Sequence, residues 1–236
     1  MWMWPFPEWV IEQAKHNSIL KGLIAGFNLD DSDLASILDR FKDEKLLLGI
    51  RNIPDYHEKD DWIVSDDALR GMSLLVEREI PYHVLCNSPR YWKYIPDLLK
   101  QFPQHKFAID HMGKPVFEDQ VNSGWDEWIG EIAKYPNVFC KLSSQFFPHT
   151  GPFTEKEKRG EFSEDQKKYV KKCVELFGVD RCMFASDWPV CAEFGGIASP
   201  RDMYVTAQAL LNHLTADERQ KIFGGNCAKF YNLDLH

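Results

Sequence analysis

The sequence predicts an α/β fold in which α-helices cover a parallel β-sheet, and three observations support this prediction. The chain of 236 residues is 44% hydrophobic and 14% aromatic, which is ample for a packed core. Short apolar segments alternate with longer segments of helical periodicity, giving six strand-then-helix units. The apolar segments end at polar residues, as strands of parallel sheets do where ligands bind. Six units suit an open doubly wound sheet, and eight would close a (β/α)8 barrel. Periodicity alone does not decide between these two architectures.

Six apolar segments have the character of buried strands. They are residues 20–27, 46–50, 81–85, 106–109, 138–140 and 182–185. The last is the most sharply bounded, because Pro189 disfavours a helical conformation for Trp188 and turns the chain. Asp187 therefore lies near the carboxyl end of a buried strand, although its side chain could equally serve only to cap the turn.

Helical periodicity and capping residues place helices between these strands. Residues 7–17 have helical spacing before the first strand, and another helix runs through Phe41 after it. Later helices begin at Ser88–Pro89, at a Ser163/Gln166 capping box and at a Thr215/Glu218 capping box. The last of these helices is predicted to stop at Gly224–Gly225, because glycine commonly ends helices.

Composition argues against several classes of protein. The net charge of −8 argues against nucleic acid as a partner, because phosphate binding needs a basic surface. No apolar run is long enough to span a bilayer, and the aromatic amino terminus is a poor secretory signal. The six cysteines form no Cys-x-x-Cys pair and several lie within apolar segments, so we expect reduced thiols in a cytoplasmic protein.

Polar residues follow or end most of the predicted strands. They are Asn28, Arg51, Asn52, Asn87, Asp110, His111, Lys141, Ser143 and Asp187. Because the carboxyl ends of parallel strands meet at one edge, we expect an imidazole, two carboxylates and two cations to converge there. Such a set suits general-base catalysis with stabilisation of an oxyanion. It would equally suit the binding of an acidic sugar or another carboxylate through Arg51 and Lys141.

A metal site is a further hypothesis for this edge. A catalytic zinc usually has three protein ligands, and His111 and Asp187 could supply two of them. His57 and His149 lie in predicted loops, so either could provide a third. Independently of a metal, the loops 55–61 and 145–162 would shape substrate specificity. The sequence contains no glycine-rich phosphate loop and no Gly-x-Ser-x-Gly elbow.

Five motifs together resemble one family in their order and spacing. They are Leu48–Asn52 (LGIRN), Phe107–Pro115 (FAIDHMGKP), Asn137–Ser143 (NVFCKLS), Met183–Val190 (MFASDWPV) and Gly225–Tyr231 (GNCAKFY). From about Trp9 to the carboxyl end, the sequence is similar to the amidohydrolase-2 branch of the amidohydrolase superfamily. This branch includes sugar-lactone and 2-pyrone-4,6-dicarboxylate lactonases.

The resemblance implies a (β/α)8 TIM barrel of the metal-dependent-hydrolase type and suggests roles for individual residues. Asp187, at the end of the eighth strand, would be the general base that activates water. His111, at the end of the sixth, would lie beside the substrate carbonyl or a metal. The candidates for substrate binding are Arg51, Lys141, Asn28, Asn87 and Lys114.

The resemblance also indicates what this sequence lacks. The first strand of the family carries a His-x-His pair that has no counterpart here, so the six strands would be strands three to eight. We therefore expect a single amidohydrolase-like barrel domain over residues 1–236, truncated at its amino end to about six βα units. Residues 1–8 would form an atypical leader.

The function that the resemblance implies is hydrolysis of a lactone, with a sugar-acid lactone as the first expectation. The reaction requires no cofactor, or it uses a divalent metal such as zinc held by His111 and Asp187. The expected partner is a small-molecule lactone or sugar acid, with no nucleic acid and no membrane.

Two alternatives stay open. One is a non-catalytic remnant that binds a sugar acid or forms a homodimer through open sheet edges. The other is an aromatic-acid decarboxylase.

Overall fold

The parallel sheet predicted from the alternating segments is present in the structure. The computed structural model describes residues 7–86, 88–115, 124–143, 164–195 and 199–234. Within these ranges six strands form one sheet, in which neighbouring strands are parallel and follow chain order. The strands are β1 (Leu23–Ala25), β2 (Leu47–Asn52), β3 (Tyr82–Val84), β4 (Phe107–Ile109), β5 (Val138–Leu142) and β6 (Cys182–Phe184). The prediction of an α/β fold with six strand-then-helix units is confirmed.

Helices connect the strands, because parallel neighbours can be joined only by a crossover. They are α1 (Pro7–Ala14), α2 (Leu34–Arg40), α3 (Asp66–Glu77), α4 (Ile95–Gln101), α5 (Trp125–Ala133), α6 (Glu164–Phe177), α7 (Val190–Gly195), α8 (Pro200–Leu210), α9 (Ala216–Gln220) and α10 (Asn226–Tyr231). The predicted Thr215/Glu218 capping box is present, whereas Ser163 falls outside the described residues. Among the described helices, none is both long and apolar enough to cross a membrane.

The prediction that the last helix stops at Gly224–Gly225 is wrong. The backbone continues through a π-helical segment, Lys221–Gly225, directly into α10. A glycine ends a helix when it takes a left-handed conformation, and Gly225 instead keeps a right-handed one, with φ −55° and ψ −45°. The residue that takes the left-handed conformation is Asn232, at the carboxyl end of α10, with φ 54°. The continuation matters because α10 carries aromatic residues onto the sheet.

The main core lies between the sheet and the helices that cover it. Its buried strand residues include Ile50, Tyr82, Val84, Phe107, Ile109, Val138, Cys140 and Leu142. On most strands these residues alternate with others that point the opposite way, as the pleat of a strand requires. All six cysteines are free thiols, and five of them are buried.

The opposite face of the sheet, called here the inner face, carries the residues in between. Register partners on adjacent strands share this face, namely Arg51, His83, Ala108 and Phe139. α10 packs against the face, and Phe230 forms a second small core with Ala108 and Met183. The inner face therefore combines charged residues with an apolar patch that α10 covers.

Candidate active site

Strained turns position the two residues predicted to be catalytic. After β4, four consecutive residues, 111–114, have φ between 52° and 69°. After β6, Asp187 has φ 56°. A left-handed conformation costs a non-glycine residue roughly 1–2 kcal/mol, and such strain concentrates at functional sites. The turns bring the side chains of His111 and Asp187 together at one end of the sheet.

His111 and Asp187 form a nearly buried pair. The distance from His111 Nε2 to Asp187 Oδ1 is 3.4 Å, and the two side chains are only 7% and 11% exposed. The second carboxylate oxygen, Asp187 Oδ2, is buried and has no hydrogen-bond partner within the described residues. A buried polar atom without a partner destabilises a protein, so this oxygen is suited to receiving a ligand or water.

Ser143 holds the other side of the His111 ring. Its hydroxyl oxygen lies 2.7 Å from His111 Nδ1, and both residues are buried. Burial lowers the pKa of His111, against the opposing effects of the Asp110 and Asp187 carboxylates, and this favours the neutral ring. In a neutral imidazole one nitrogen donates and the other accepts. If the Ser143 hydroxyl donates to Nδ1, the N–H of His111 points to Asp187.

A second cluster surrounds Asp110, whose side chain is fully buried. Arg51 Nη1 lies 3.1 Å from Asp110 Oδ2, and Lys141 Nζ lies 2.9 Å from Oδ1. His83 Nδ1 lies 3.3 Å from the same Oδ1. Burial alone would raise the pKa of Asp110, but the opposing effects of its neighbours, led by the charge of Lys141, lower this pKa well below its usual value. Asp110 is therefore an ionised carboxylate compensated by two cations.

This cluster shows what Arg51 and Lys141 contact. Both were predicted to bind the substrate, and in the structure both pair with Asp110. Lys141 also contacts His83 Nδ1 at 2.8 Å, so two of its three N–H donors are used. The third has no partner among the described residues, and the side chain stays 16% exposed. Lys141 thus keeps one donor for a ligand.

The remaining predicted substrate contacts are distributed differently. Lys114 is half-buried, and burial lowers its pKa against the opposing charges of Asp187 and Asp55. Asn28 is exposed, and its side-chain oxygen lies 3.4 Å from Asn52 Nδ2. Asn87 lies outside the described residues. Of these three, only Lys114 has a described interaction with Asp187.

Sequence reasoning missed two members of the site, His83 and Tyr231. His83 is fully buried in the middle of β3, and its Nε2 lies 2.9 Å from Tyr231 Oη. A signal for His83 was available in the sequence. Side chains alternate between the two faces along β3, and this puts His83 on the same face as Arg51, its register partner on β2. Tyr231 ends the GNCAKFY motif, but periodicity gave no signal that it lies at the site, since the chain was expected to leave the helix at the preceding glycine pair.

The described residues include two candidate metal ligands at this site. His111 and Asp187 form the pair, and no group of three or more histidine, cysteine, aspartate or glutamate side chains that could hold a metal occurs in the described ranges. His57, predicted as a possible third ligand, stacks on Trp62 with ring centroids 3.6 Å apart and lies 3.9 Å from Asp30. His149 falls outside the described residues.

A family model and two named relatives are similar to this chain over nearly its whole length. The amidohydrolase family model matches residues 7–233. An L-fucono-1,5-lactonase of Burkholderia ambifaria is 23% identical over 227 residues, covering 96% of this chain and 75% of its own length. An L-fucono-1,5-lactonase of Burkholderia multivorans is 26% identical over 239 residues, covering 95% of this chain and 75% of its own length.

A solved structure has the same fold. The crystal structure of an amidohydrolase from Burkholderia multivorans with bound zinc superposes with a TM-score of 0.83 at 23% identity, covering 96% of this chain and 78% of the other. The family model extends over nearly all of the chain, which confirms the resemblance found in the motifs. This protein therefore belongs to the amidohydrolase family.

Proposed function

We propose that this chain is a hydrolase that opens a sugar-acid lactone with water activated by Asp187. The observation that carries the proposal is the buried oxygen Asp187 Oδ2, which has no partner among the described residues and stands beside His111. The naming of two relatives as L-fucono-1,5-lactonases supports the substrate class. The free cysteine thiols agree with a cytoplasmic protein.

In the proposed reaction, Asp187 Oδ2 takes a proton from water as the water oxygen attacks the lactone carbonyl. The ring ester bond then breaks, and the proton passes from Asp187 to the leaving alkoxide, giving a hydroxy acid. His111 holds Asp187 through Oδ1 and so orients Oδ2. Lys114, close enough for its pKa to respond to Asp187, and the remaining donor of Lys141 stabilise the oxyanion.

The charges of the site favour an uncharged lactone as substrate. Arg51 and Lys141 are already paired with Asp110, which leaves Lys114 to balance Asp187 and Asp55. A substrate with carboxylate groups would have to compete with these acidic side chains for the same cations. We therefore expect a higher kcat/KM with neutral aldonolactones than with a pyrone dicarboxylate of similar size.

The candidate site supplies some, but not all, of the ligands that a catalytic zinc requires. His111 and Asp187 would hold a divalent ion, and such an ion would supply Lewis-acid polarisation of the lactone carbonyl. A catalytic zinc normally has three protein ligands, however, and the described residues supply two. The proposed steps therefore use side chains only.

The decisive experiment compares the unmodified protein with Asp187→Asn by pH-stat on a panel of neutral lactones. We expect Asp187→Asn to lower kcat by roughly 10²–10⁴-fold, because the amide cannot accept the proton. Asp180→Asn is the matched control, since Asp180 is exposed and pairs with Lys221 at 2.8 Å. Near-normal turnover by folded Asp187→Asn would contradict the proposed role.

The same panel separates the alternative functions. A folded protein without turnover on any lactone would instead favour a non-catalytic binding protein. Release of carbon dioxide from an aromatic acid would favour a decarboxylase. Both alternatives are disfavoured by the lactonase relatives.

A further inference from the structure

A hydroxyl group from α10 reaches the charged cluster from the inner face. Tyr231 Oη lies 2.9 Å from His83 Nε2, and the two rings are nearly parallel, with an interplanar angle of 8°. At the other side of the imidazole, Nδ1 lies 2.8 Å from Lys141 Nζ and 3.3 Å from Asp110 Oδ1. His83 therefore links the last helix to the residues of the candidate site.

The two contacts of Nδ1 indicate which ring nitrogen of His83 carries the proton. The contact with Lys141 at 2.8 Å requires Nδ1 to accept, whereas the longer contact with Asp110 Oδ1 at 3.3 Å would require it to donate. An ammonium group has three donors and no acceptor, so Nδ1 accepts the hydrogen bond at 2.8 Å. Burial, assisted by the charge of Lys141, lowers the pKa of His83 to about 4. The ring is thus neutral at neutral pH, and with Nδ1 accepting from Lys141 its one proton is placed on Nε2, facing Tyr231 Oη at 2.9 Å.

The two tautomers of His83 differ in what Nδ1 offers its neighbours. The other tautomer would place the proton on Nδ1, where it would point to Asp110 and remove the acceptor of Lys141. A tyrosine hydroxyl can accept as well as donate, and as the acceptor for Nε2–H it stabilises the tautomer that holds Lys141.

We propose that Tyr231 is a positioning residue that acts through His83. By accepting the Nε2–H of His83, it keeps Nδ1 available to hold the ammonium group of Lys141 in the site. The effect on catalysis rests on the proposed function, in which Lys141 stabilises the oxyanion. The effect on the tautomer is independent of any substrate.

The first test measures the tautomer directly. In protein labelled with ¹⁵N-histidine, the ring nitrogen signals of His83 are identified by their loss in His83→Asn. Tyr231→Phe keeps the ring that packs against His83 and Phe230 and removes only the acceptor. We expect the proton on Nε2 in the unmodified protein and a shift towards Nδ1 in Tyr231→Phe.

Tyr135→Phe is the matched control for this measurement. Tyr135 is also partly buried, and its hydroxyl lies 3.5 Å from the carbonyl oxygen of Pro96, away from the site. We expect this variant to leave the His83 signals unchanged. An Nε2 proton that persists in Tyr231→Phe would overturn the proposal.

A double-mutant cycle tests the consequence for catalysis. We expect Tyr231→Phe to lower kcat/KM roughly ten-fold in the unmodified background. In His83→Asn, the amide oxygen still accepts from Lys141 near the position of Nδ1, but the shorter side chain does not reach Tyr231. Tyr231→Phe should then have no additional effect. Equal losses in both backgrounds would overturn the positioning role.

Failure of this proposal is distinguishable from failure of the proposed function. If the unmodified protein hydrolyses no lactone, the lactonase function fails, and the nitrogen signals of Tyr231→Phe still decide the role of Tyr231. If lactones are hydrolysed and the tautomer does not change, the positioning role fails alone.

Discussion

The hydroxyl group of Ser143 fixes the tautomer in which His111 faces Asp187. Ser143 is the first residue after β5, and its side chain is buried against His111 Nδ1 at 2.7 Å. The hydroxyl can rotate to donate or to accept, but the carboxylate at Nε2 only accepts. The arrangement that satisfies all groups is therefore a hydroxyl that donates to Nδ1 and an Nε2–H that faces Asp187.

Ser143→Ala tests this arrangement. The variant leaves Nδ1 without its partner, so His111 can adopt the other tautomer and lose its N–H contact with Asp187. We expect kcat for lactone hydrolysis to fall roughly ten-fold, which corresponds to about 1.4 kcal/mol of lost orientation. Steady-state kinetics on a neutral lactone provides the measurement.

Ser73→Ala is the control for this prediction. Ser73 is exposed on α3, where its hydroxyl donates to the carbonyl oxygen of Leu69 at 3.0 Å. It should leave kcat unchanged. A kcat for Ser143→Ala within two-fold of the unmodified value, as a rough limit for a lost hydrogen bond, would show that Ser143 does not orient His111.

At the scale of the element, helix α3 shows how closely the layers approach. Gly71, in the middle of α3, faces the loop that follows β1, and a Cβ atom there would lie 2.0 Å from the carbonyl oxygen of Leu29. Such a distance cannot occur without movement of the backbone. Glycine is therefore required at this crossing, although it is otherwise an unfavourable residue inside a helix.

Two glycine-to-alanine variants should consequently have opposite effects on stability. Gly71→Ala should lower the free energy of unfolding by about 1–3 kcal/mol, because the new methyl group overpacks against Leu29. Apart from its chain neighbours and the backbone of its own helix, Gly130, inside α5, has no atom of the described residues within 4 Å of its Cβ position. Gly130→Ala should therefore raise the free energy of unfolding by up to about 1 kcal/mol. Urea denaturation followed by circular dichroism measures both, and a stabilised Gly71→Ala would contradict the packing argument.

At the scale of the whole molecule, the parallel strands and their polar ends could be predicted from the sequence. Each strand is a short apolar segment, and the turns around Gly113 and Pro189 mark where two of them end. Because parallel strands end at one edge, His111 and Asp187 could be expected to meet, and their side chains lie 3.4 Å apart.

The pairing of side chains across the site could not be predicted in the same way. Arg51 and Asp110 are 59 residues apart, and His83 and Tyr231 are 148 residues apart. Contacts over such separations depend on the direction of each side chain and on how α10 packs against the inner face. The sequence contains these residues, but local periodicity carries no information on which of them meet.

A buried histidine outside the candidate site makes the whole molecule sensitive to acid. His105 is buried against Phe107, and burial lowers its pKa from 6.5 to about 4 despite a hydrogen bond with the backbone of Ile80. Between these pH values the unfolded chain binds a proton that the folded protein does not. The free energy of unfolding therefore falls as the pH falls from about 6.5 towards 4. Above pH 6.5 this contribution to stability is fully present.

His105→Asn should remove this source of acid sensitivity. Asparagine keeps a donor near the position of the imidazole Nδ1 and does not titrate. Between pH 7 and pH 4.5, we expect the variant to lose about 2 kcal/mol less free energy of unfolding than the unmodified protein. Urea denaturation at the two pH values measures the difference. His16→Asn, which removes an exposed histidine just after the end of α1, should leave the acid-induced loss unchanged. Equal losses in His105→Asn and the unmodified protein would show that His105 becomes protonated without cost in the folded state.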